Sequence, residues 1–475
     1  MQLDVYNTHM ELYPYMHGDY PVIEKMYTAE HNFTHEEFPC GYIIQDKKLY
    51  LPRGTPVSKI ENITGASITY IQESDPMEKM TDIFSPLVEP RDHLQEESIQ
   101  FLQGESNHQL ALNLKMGYGK TFCVSYASTQ LNVKTIIIVP NEGLKTQWIQ
   151  TYHKMFTYRP KHLMNIAGSQ IIEGIMNDEI EQADVYFVNH ATLRNYMTEH
   201  GGHALHNFFK KIKVGIKVYD ESHLEFANIL LIDHFTNTNR TWYLTATFDR
   251  SDKTESRCFK LAFNHMIAFG EVESEKMMRK HVIYHVVDFN SRPSIKNRRQ
   301  VIGWRGLSAA SYGKYAFFDD ANDTAYNVIR IILEKITGID GKIMIFVPLI
   351  DAIDEVVKKL KREQKERSVA PYHSRISKDE KESAKKKDII VTTIKSCGTG
   401  QDIPGLRAVI CLEPIASKVV AAQMIGRLRE YAKDKDTYFF DCIDRTFAPL
   451  SFWHRARMKK IETLVKQTVY LNLDE

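Results

Sequence analysis

The heptapeptide KMGYGKT at residues 115–121 sets two glycines directly before a lysine and a hydroxyl. Gly117 and Gly119 allow the backbone to curl with its N–H groups inward, an anion nest at the start of a helix. Lys120 would then reach the β- and γ-phosphates of a nucleoside triphosphate, and Thr121 would offer its hydroxyl to Mg2+. A strict phosphate-loop pattern asks for glycine at position 114, where this chain has Leu114. An ordinary strand-turn-helix corner is the competing reading. Farther on, Asp220 and Glu221 close the run GIKVYD. Phosphoryl transfer needs one carboxylate to hold Mg2+ and a neighbour to activate the attacking water, roles that fall to Asp220 and Glu221. Without the glycine loop, the pair would read as two solvated acids at a strand end. Near the other end of the chain, Gln423, Gly426, Arg427 and Arg429 are expected on one helix. A planar guanidinium arriving there can neutralise charge developing on a γ-phosphoryl group, and Arg427 is the first candidate.

These groups need a scaffold that brings them together. From about residue 90 the chain repeats apolar strand, turn and amphipathic helix: QLALNLK, TIIIVP, ADVYFVNH, VGIKVYDE and TWYLTAT are the strands. A second series follows with KIMIFVP, DIIVTTIKS, RAVICLEP and DTYFFDCID, and with helices expected at 351–367 and 417–431. Alternation of this kind predicts parallel sheets covered by helices, with ligands at the carboxyl ends of the strands. The predicted fold class is α/β, with two tandem phosphate-loop lobes at residues 89–272 and 273–475. A small strand-rich domain precedes them at residues 1–88, from GYIIQDKKLYLPRG and ASITYIQES. Residues 292–322 read as an irregular insertion or linker carrying Arg292, Lys296, Arg298, Arg299 and Arg305. Residues 452–470 read as a C-terminal helix that packs on its own domain or presents a basic surface.

Composition narrows the function classes. A chain of 475 residues, 43% hydrophobic and 25% charged, has the balance of a globular protein of two or three domains. Its 61 basic and 60 acidic residues leave a net charge of +1, so any nucleic-acid surface must be local. No run is long and apolar enough for a membrane span, and the polar, acidic start does not read as a signal peptide. A cytoplasmic location is expected. Six scattered cysteines predict neither zinc nor disulfides, and His281 and His285 sit in the strand-like HVIYHVVDF rather than in a metal site.

DESH at 220–223 and TAT at 245–247 stand where superfamily 2 helicases carry their DEAD- or DEAH-like box and the coupling motif after it. VPNEGLKTQW resembles that superfamily's P-x-x-x-L-x-x-Q-W element, which implies that Pro140, Gln147 and Trp148 contact a nucleic-acid backbone. In PRDHLQ, Arg91 and Gln95 occupy an R-x-x-x-Q element, and the resemblance implies that Gln95 reads the adenine edge. VTTIKSCGTGQDIPGL resembles the element coupling nucleotide to strand movement, with Thr393 on the strand and Gly400 and Asp402 at the nucleotide. The second-lobe helix departs from Q-x-x-G-R-x-x-R: position 430 is Glu430 and the second arginine, Arg429, comes one residue early. Thr393 precedes Gly400 by one residue more than is usual in DEAD-box RNA helicases. That spacing, the short lobes and the N-terminal domain look closer to phage UvsW-like DNA helicases.

The resemblance implies an ATP- and Mg2+-dependent DNA helicase or translocase acting on forks and junctions in replication, recombination or repair, by backbone contacts. Nothing in the sequence requires more than a monomer or names a protein partner. An RNA helicase or duplex translocase of the same superfamily, and a binding adaptor with a vestigial ATPase, are the alternatives. A small-molecule kinase would leave DESH, TAT and the arginine helix unexplained.

Overall fold

The structure is a computed structural model describing residues 1–30, 36–104, 108–115, 117–245, 253–277, 280–304, 306–397, 403–428 and 435–473. The chain divides into two compact units, Met1–Met278 and Arg279–Glu475.

The first unit holds a seven-stranded sheet in the order Leu163–Ile166, Val185–Asn189, Thr135–Val139, Ile216–Tyr219, Arg240–Leu244, Gln109–Leu112, Ile267–Phe269. Every neighbouring pair is parallel. The central strand TIIIV is buried along its whole length, as β-branched runs in sheets covered on both faces must be. Asp92 and Asn141 start two of the covering helices, their side chains accepting from Gln95 N and Leu144 N.

The N-terminal strands form a five-stranded sheet whose hairpin turn, Asp46 and Lys47, carries positive φ at both residues. This sheet does not stand apart from the lobe. Leu3, Met10 and Leu49 share one apolar core with Ile136, Ile138 and Tyr186, and Asn7 N and Thr8 Oγ1 donate to Asn237 Oδ1 and Thr236 O. Gly54 N donates to Ala262 O at 3.1 Å, and a Cβ at position 54 would lie 2.3 Å from that same oxygen. Gly54→Ala is therefore expected to cost about 1–3 kcal/mol through overpacking, read as an earlier denaturant midpoint.

The second unit repeats the plan: Val369–Tyr372, Ile389–Thr392, Lys342–Phe346, Leu406–Cys411, Thr437–Asp444, Val282–Phe289, Gln467–Asn472, again all parallel. Three expectations change here. The C-terminal helix is Ala448–Ile461, and residues 467–472 form an edge strand instead, because Thr468, Val469 and Tyr470 suit a half-buried sheet edge. That helix packs on its own lobe: the buried Asp441 accepts from Arg457 Nη2 at 2.5 Å, His454 Nδ1 lies 3.0 Å away, and Tyr284 also donates to it. Burial pushes the Asp441 carboxyl up, but Arg457 and His454 outweigh it and hold the group well below the usual carboxylate range.

The helix expected at 417–431 is Lys418–Ile425, ended by Gly426. Of the two readings of 292–322, insertion or linker, the stretch fits an insertion, but an ordered one rather than an irregular one. It folds as a helix (Ile295–Val301), a short hairpin (Ile302–Gly303 with Gly306–Leu307), a helix (Ala309–Lys314) and a π-helical turn (Tyr315–Asp319), anchored by Val301, Tyr312, Tyr315 and Phe317 in the second lobe's core.

Among the described residues no helix is long and apolar enough to cross a membrane. The six cysteines are free thiols. His285 stacks on Phe440, and His281 Nε2 meets Leu428 O at 2.6 Å.

Candidate nucleotide site

Four adjacent strands of the first sheet deliver the chemical residues to one edge. Thr135–Val139 leads into Pro140, Ile216–Tyr219 into Asp220, Arg240–Leu244 into Thr245, and Gln109–Leu112 into the glycine loop. Parallel pairing forces their carboxyl ends to the same side, so adjacency in the sheet does what separation in sequence cannot.

Gly117 and Gly119 have φ of 88° and 86°, left-handed values open to glycine at little cost. Gly119 caps the helix Lys120–Leu131, which sets Lys120 and Thr121 in its first turn. Lys120 Nζ donates to Leu114 O at 3.0 Å, folded across the loop. Gln95 is 4% exposed. Its Oε1 accepts from Arg91 N at 3.0 Å and its Nε2 donates to Tyr118 O at 3.2 Å. Arg91 pairs with Asp92 and lies 5.7 Å from the Tyr118 ring centroid. Gln95 thus braces the glycine loop against its own helix start.

Asp220 is buried with both carboxylate oxygens engaged: Trp148 Nε1 donates to Oδ2 at 2.7 Å and the Glu221 amide to Oδ1 at 2.9 Å. Burial first, then the Glu221 charge, push its carboxyl up to about 6, against the indole hydrogen bond and the positive charge of Lys120. Glu221 has a φ of +48°, a strained conformation for a residue with a side chain, and such strain gathers at functional positions. Its Oε2 is buried without a hydrogen bond among the described residues. The His223 Nδ1 3.4 Å away is engaged with Thr245 Oγ1 at 3.0 Å. That His223–Thr245 contact joins DESH to the segment after it, and Ser222 N donates to Leu244 O beside it.

Trp148 departs from expectation. It is 1% exposed and cannot present its ring to a nucleic acid here, because the helix Glu142–Met155 turns it inward onto Asp220. Pro140 and Gln147 are half-buried. An amphipathic reading of LKTQWIQTY could have found Trp148, since Leu144, Trp148, Tyr152 and Met155 share one buried face. Trp148→Phe removes a hydrogen bond that favours the Asp220 carboxylate. The acid limb of the pH–rate profile should move up by about one pH unit, since a hydrogen bond to a charged group contributes roughly 1.5–3 kcal/mol. An unmoved limb would show that Asp220 does not control that ionisation.

In the second lobe Thr393 is buried and starts the short helix Ile394–Cys397, its Oγ1 donating to Ser396 Oγ and accepting from Ser396 N. Glu413, which the motifs did not reveal, follows Leu406–Cys411 and accepts from Ile394 N at 2.6 Å. Burial pushes its carboxyl up to about 7. Gln423 is half-buried on Lys418–Ile425. Arg427 does not share that helix: it follows the cap at Gly426, its N–H bonded to Met424 O, and is 7% exposed. Gly400, Asp402, Arg429 and Thr247 lie outside the described residues.

The donor set fits a nucleoside triphosphate with a divalent cation. A positive-φ glycine loop opens a helix, a hydroxyl lies in its first turn, one buried carboxylate is held by an indole, and a second has an oxygen to spare. Residues 87–250 match the family model described as Type III restriction enzyme, res subunit. Residues 326–430 match the one described as Helicase conserved C-terminal domain, and the two segments together span more than half of the chain. Comparison with curated proteins gave no match. Among solved structures, Mss116p bound to ssRNA and AMP-PNP is similar at 18% identity over 80% of this chain and 74% of that one, with a TM-score of 0.55. S. cerevisiae Dbp5 bound to RNA and ADP BeF3 is similar at 15% identity over 80% and 90%, with a TM-score of 0.54. The crystal structure of T4 UvsW is matched over 100% of both chains at 16% identity, with a TM-score of 0.37.

Two tandem RecA-like lobes, the first carrying a phosphate loop and an acidic strand end, define a nucleoside-triphosphate-driven enzyme. The chain belongs to the superfamily 2 helicases and is a nucleic-acid-dependent ATPase of that superfamily.

Proposed function

We propose that this protein is an ATP-dependent DNA helicase or translocase that unwinds or branch-migrates forked and junction DNA. The observation that carries the reading is the convergence of Lys120, Asp220, Glu221 and Thr245 at the ends of neighbouring strands, with His223 bonded to Thr245. A nucleotide-dependent change at DESH would reach the following segment through that contact. Gly117, Gly119, Lys120 and Thr121 would cradle the phosphates, with Arg91 and Gln95 beside them and Gly400 and Asp402 as further nucleotide contacts. Thr121 and Asp220 would hold Mg2+, which when bound supplies Lewis-acid stabilisation of phosphate charge. Glu221 would take the proton of the attacking water, its unbonded Oε2 being the acceptor. Gln423, Arg427 and Arg429 would answer charge on the γ-phosphoryl group. Pro140, Gln147 and Thr393 would grip the strand, giving binding that weakens with salt and reads little sequence.

DNA is preferred on the long step from Thr393 to Gly400 and on the restriction-enzyme family match of the first lobe. RNA is the second reading, favoured by neighbours whose structures contain RNA. Steady-state hydrolysis with single-stranded DNA, a DNA fork or RNA, paired with strand displacement on DNA forks and RNA duplexes, decides between them. Stimulation and unwinding by forks are expected; unwinding of RNA alone would overturn the DNA assignment.

A further inference from the structure

Trp304 is 89% exposed, the most exposed of the large apolar side chains among the described residues. An exposed large aromatic is informative where an exposed leucine would not be. It sits at the tip of the hairpin in which Ile302 pairs with Leu307 and Gly303 with Gly306. Gly306 has a φ of +98°, a left-handed value open to glycine at little cost. The base of the hairpin is fixed: Val301 is fully buried, and Ser308 N donates to Val301 O at 3.0 Å. Ser308 Oγ then accepts from Ser311 N and starts the next helix, whose Tyr312 is in the core. The tip is thus held out on a firmly seated support.

Charge around it is one-sided. No Asp or Glu occurs from residue 292 to residue 318, while Arg292, Lys296, Arg298, Arg299, Arg305 and Lys314 all do. Lys296, Arg298, Arg299 and Lys314 are exposed, and among the described residues none has a carboxylate at ion-pair distance. In a chain whose charges nearly cancel overall, this is a local basic surface of the kind a polynucleotide backbone requires. Arg305 lies outside the described residues.

Position supplies the third observation. The segment leaves the carboxyl end of Val282–Phe289, and Thr393 follows the carboxyl end of Ile389–Thr392 in the same all-parallel sheet. Both therefore emerge on one edge of the second lobe, the hairpin some strands away from Thr393.

We propose that the Trp304 hairpin is a base-stacking pin that engages single-stranded nucleic acid at the point where the duplex parts. Lys296, Arg298 and Arg299 hold the adjoining phosphates. A planar ring on a rigid hairpin can replace the stacking partner that a base loses when its duplex opens, and it does so without reading sequence. This inference rests on the proposed strand-separating function.

The full chain is titrated with a single-stranded oligo-dT while tryptophan emission is followed. Trp148 and Trp242 are fully buried and Trp453 is partly buried, so the solvent-exposed component reports Trp304. Quenching of that component, weakened by salt and lost in Trp304→Phe, is expected. Trp304→Ala should bind the oligonucleotide about 5- to 150-fold more weakly, the equivalent of one stacked base. It should displace fork strands at least about tenfold more slowly, with Trp304→Phe in between. An unchanged melting midpoint shows that the variants fold. Wild-type displacement by Trp304→Ala, or an unquenched exposed component while the wild-type ATPase is still stimulated by polynucleotide, overturns the pin alone. A wild-type ATPase that no polynucleotide stimulates overturns the proposed function itself.

Discussion

Lys120→Ala should lower polynucleotide-stimulated ATP hydrolysis by about 10²- to 10³-fold, the usual consequence of deleting one preorganised electrostatic partner of a transferring phosphoryl group. The fold should survive, because among the described residues Nζ donates only to Leu114 O, a carbonyl of the loop after Gln109–Leu112. The loss should therefore come without a lower melting midpoint. It should also change the neighbouring acid. Lys120 is one of the two side chains that restrain the upward pKa of Asp220, so its removal should raise that carboxyl further and move the acid limb of any residual activity upward. Phosphate release at saturating polynucleotide, with equilibrium binding of a fluorescent nucleotide, separates loss of affinity from loss of turnover. Activity within tenfold of wild type would assign the phosphate-binding charge to another residue.

Asp220→Asn should have opposite effects on activity and stability. Activity falls by about 10²-fold or more, because the amide is a poor ligand for Mg2+. Stability rises. The folded-state pKa of Asp220, about 6, lies above the ordinary carboxylate value near 3.8, chiefly because burial penalises the charge. The folded chain thus binds this proton more tightly than the unfolded chain does. The resulting stabilisation is complete below about pH 4 and is lost as pH rises through about 6, so at neutral pH the buried charge costs about 3 kcal/mol. Asparagine removes that cost while still accepting from Trp148 Nε1. The variant should melt several degrees above wild type at pH 7.5 without nucleotide, and the difference should shrink toward pH 4.5. Equal midpoints at both pH values would mean that the native site already compensates the charge. The strain at Glu221, next in sequence, belongs to the same trade of stability for function.

How much of this was legible beforehand differs by element. The phosphate loop was legible because its requirements are local: positive φ at residues 117 and 119, then a lysine and a hydroxyl in the first helical turn. Ten strands were legible because they lie inside the sheets, where burial on both faces demands unbroken apolar runs. Within the two seven-stranded sheets, the strands that the sequence did not show, at residues 163–166, 267–269, 369–372 and 467–472, are the four edges. An edge strand has one neighbour and is often half exposed, so polar residues interrupt its pattern; Gln467–Asn472 even passed for the end of a helix.

What the sequence by itself determined is the chemistry available: a phosphate loop, a paired acid at a strand end, a glutamine and two arginines close together in the second lobe, and a nearly neutral chain with local basic stretches. Those follow from residue type and short spacing, which act through the backbone within a turn or two. Only the tertiary structure decided where each group points. Sheet order set Thr245 beside His223, a helix turned Trp148 inward to Asp220, and Gly426 released Arg427 from its helix. Packing around Val301 and Tyr312 made a stretch that reads as an irregular insertion or linker into a seated hairpin with Trp304 at its tip. Each of these depends on contacts between residues far apart in the chain, whose geometry exists only once the cores have packed.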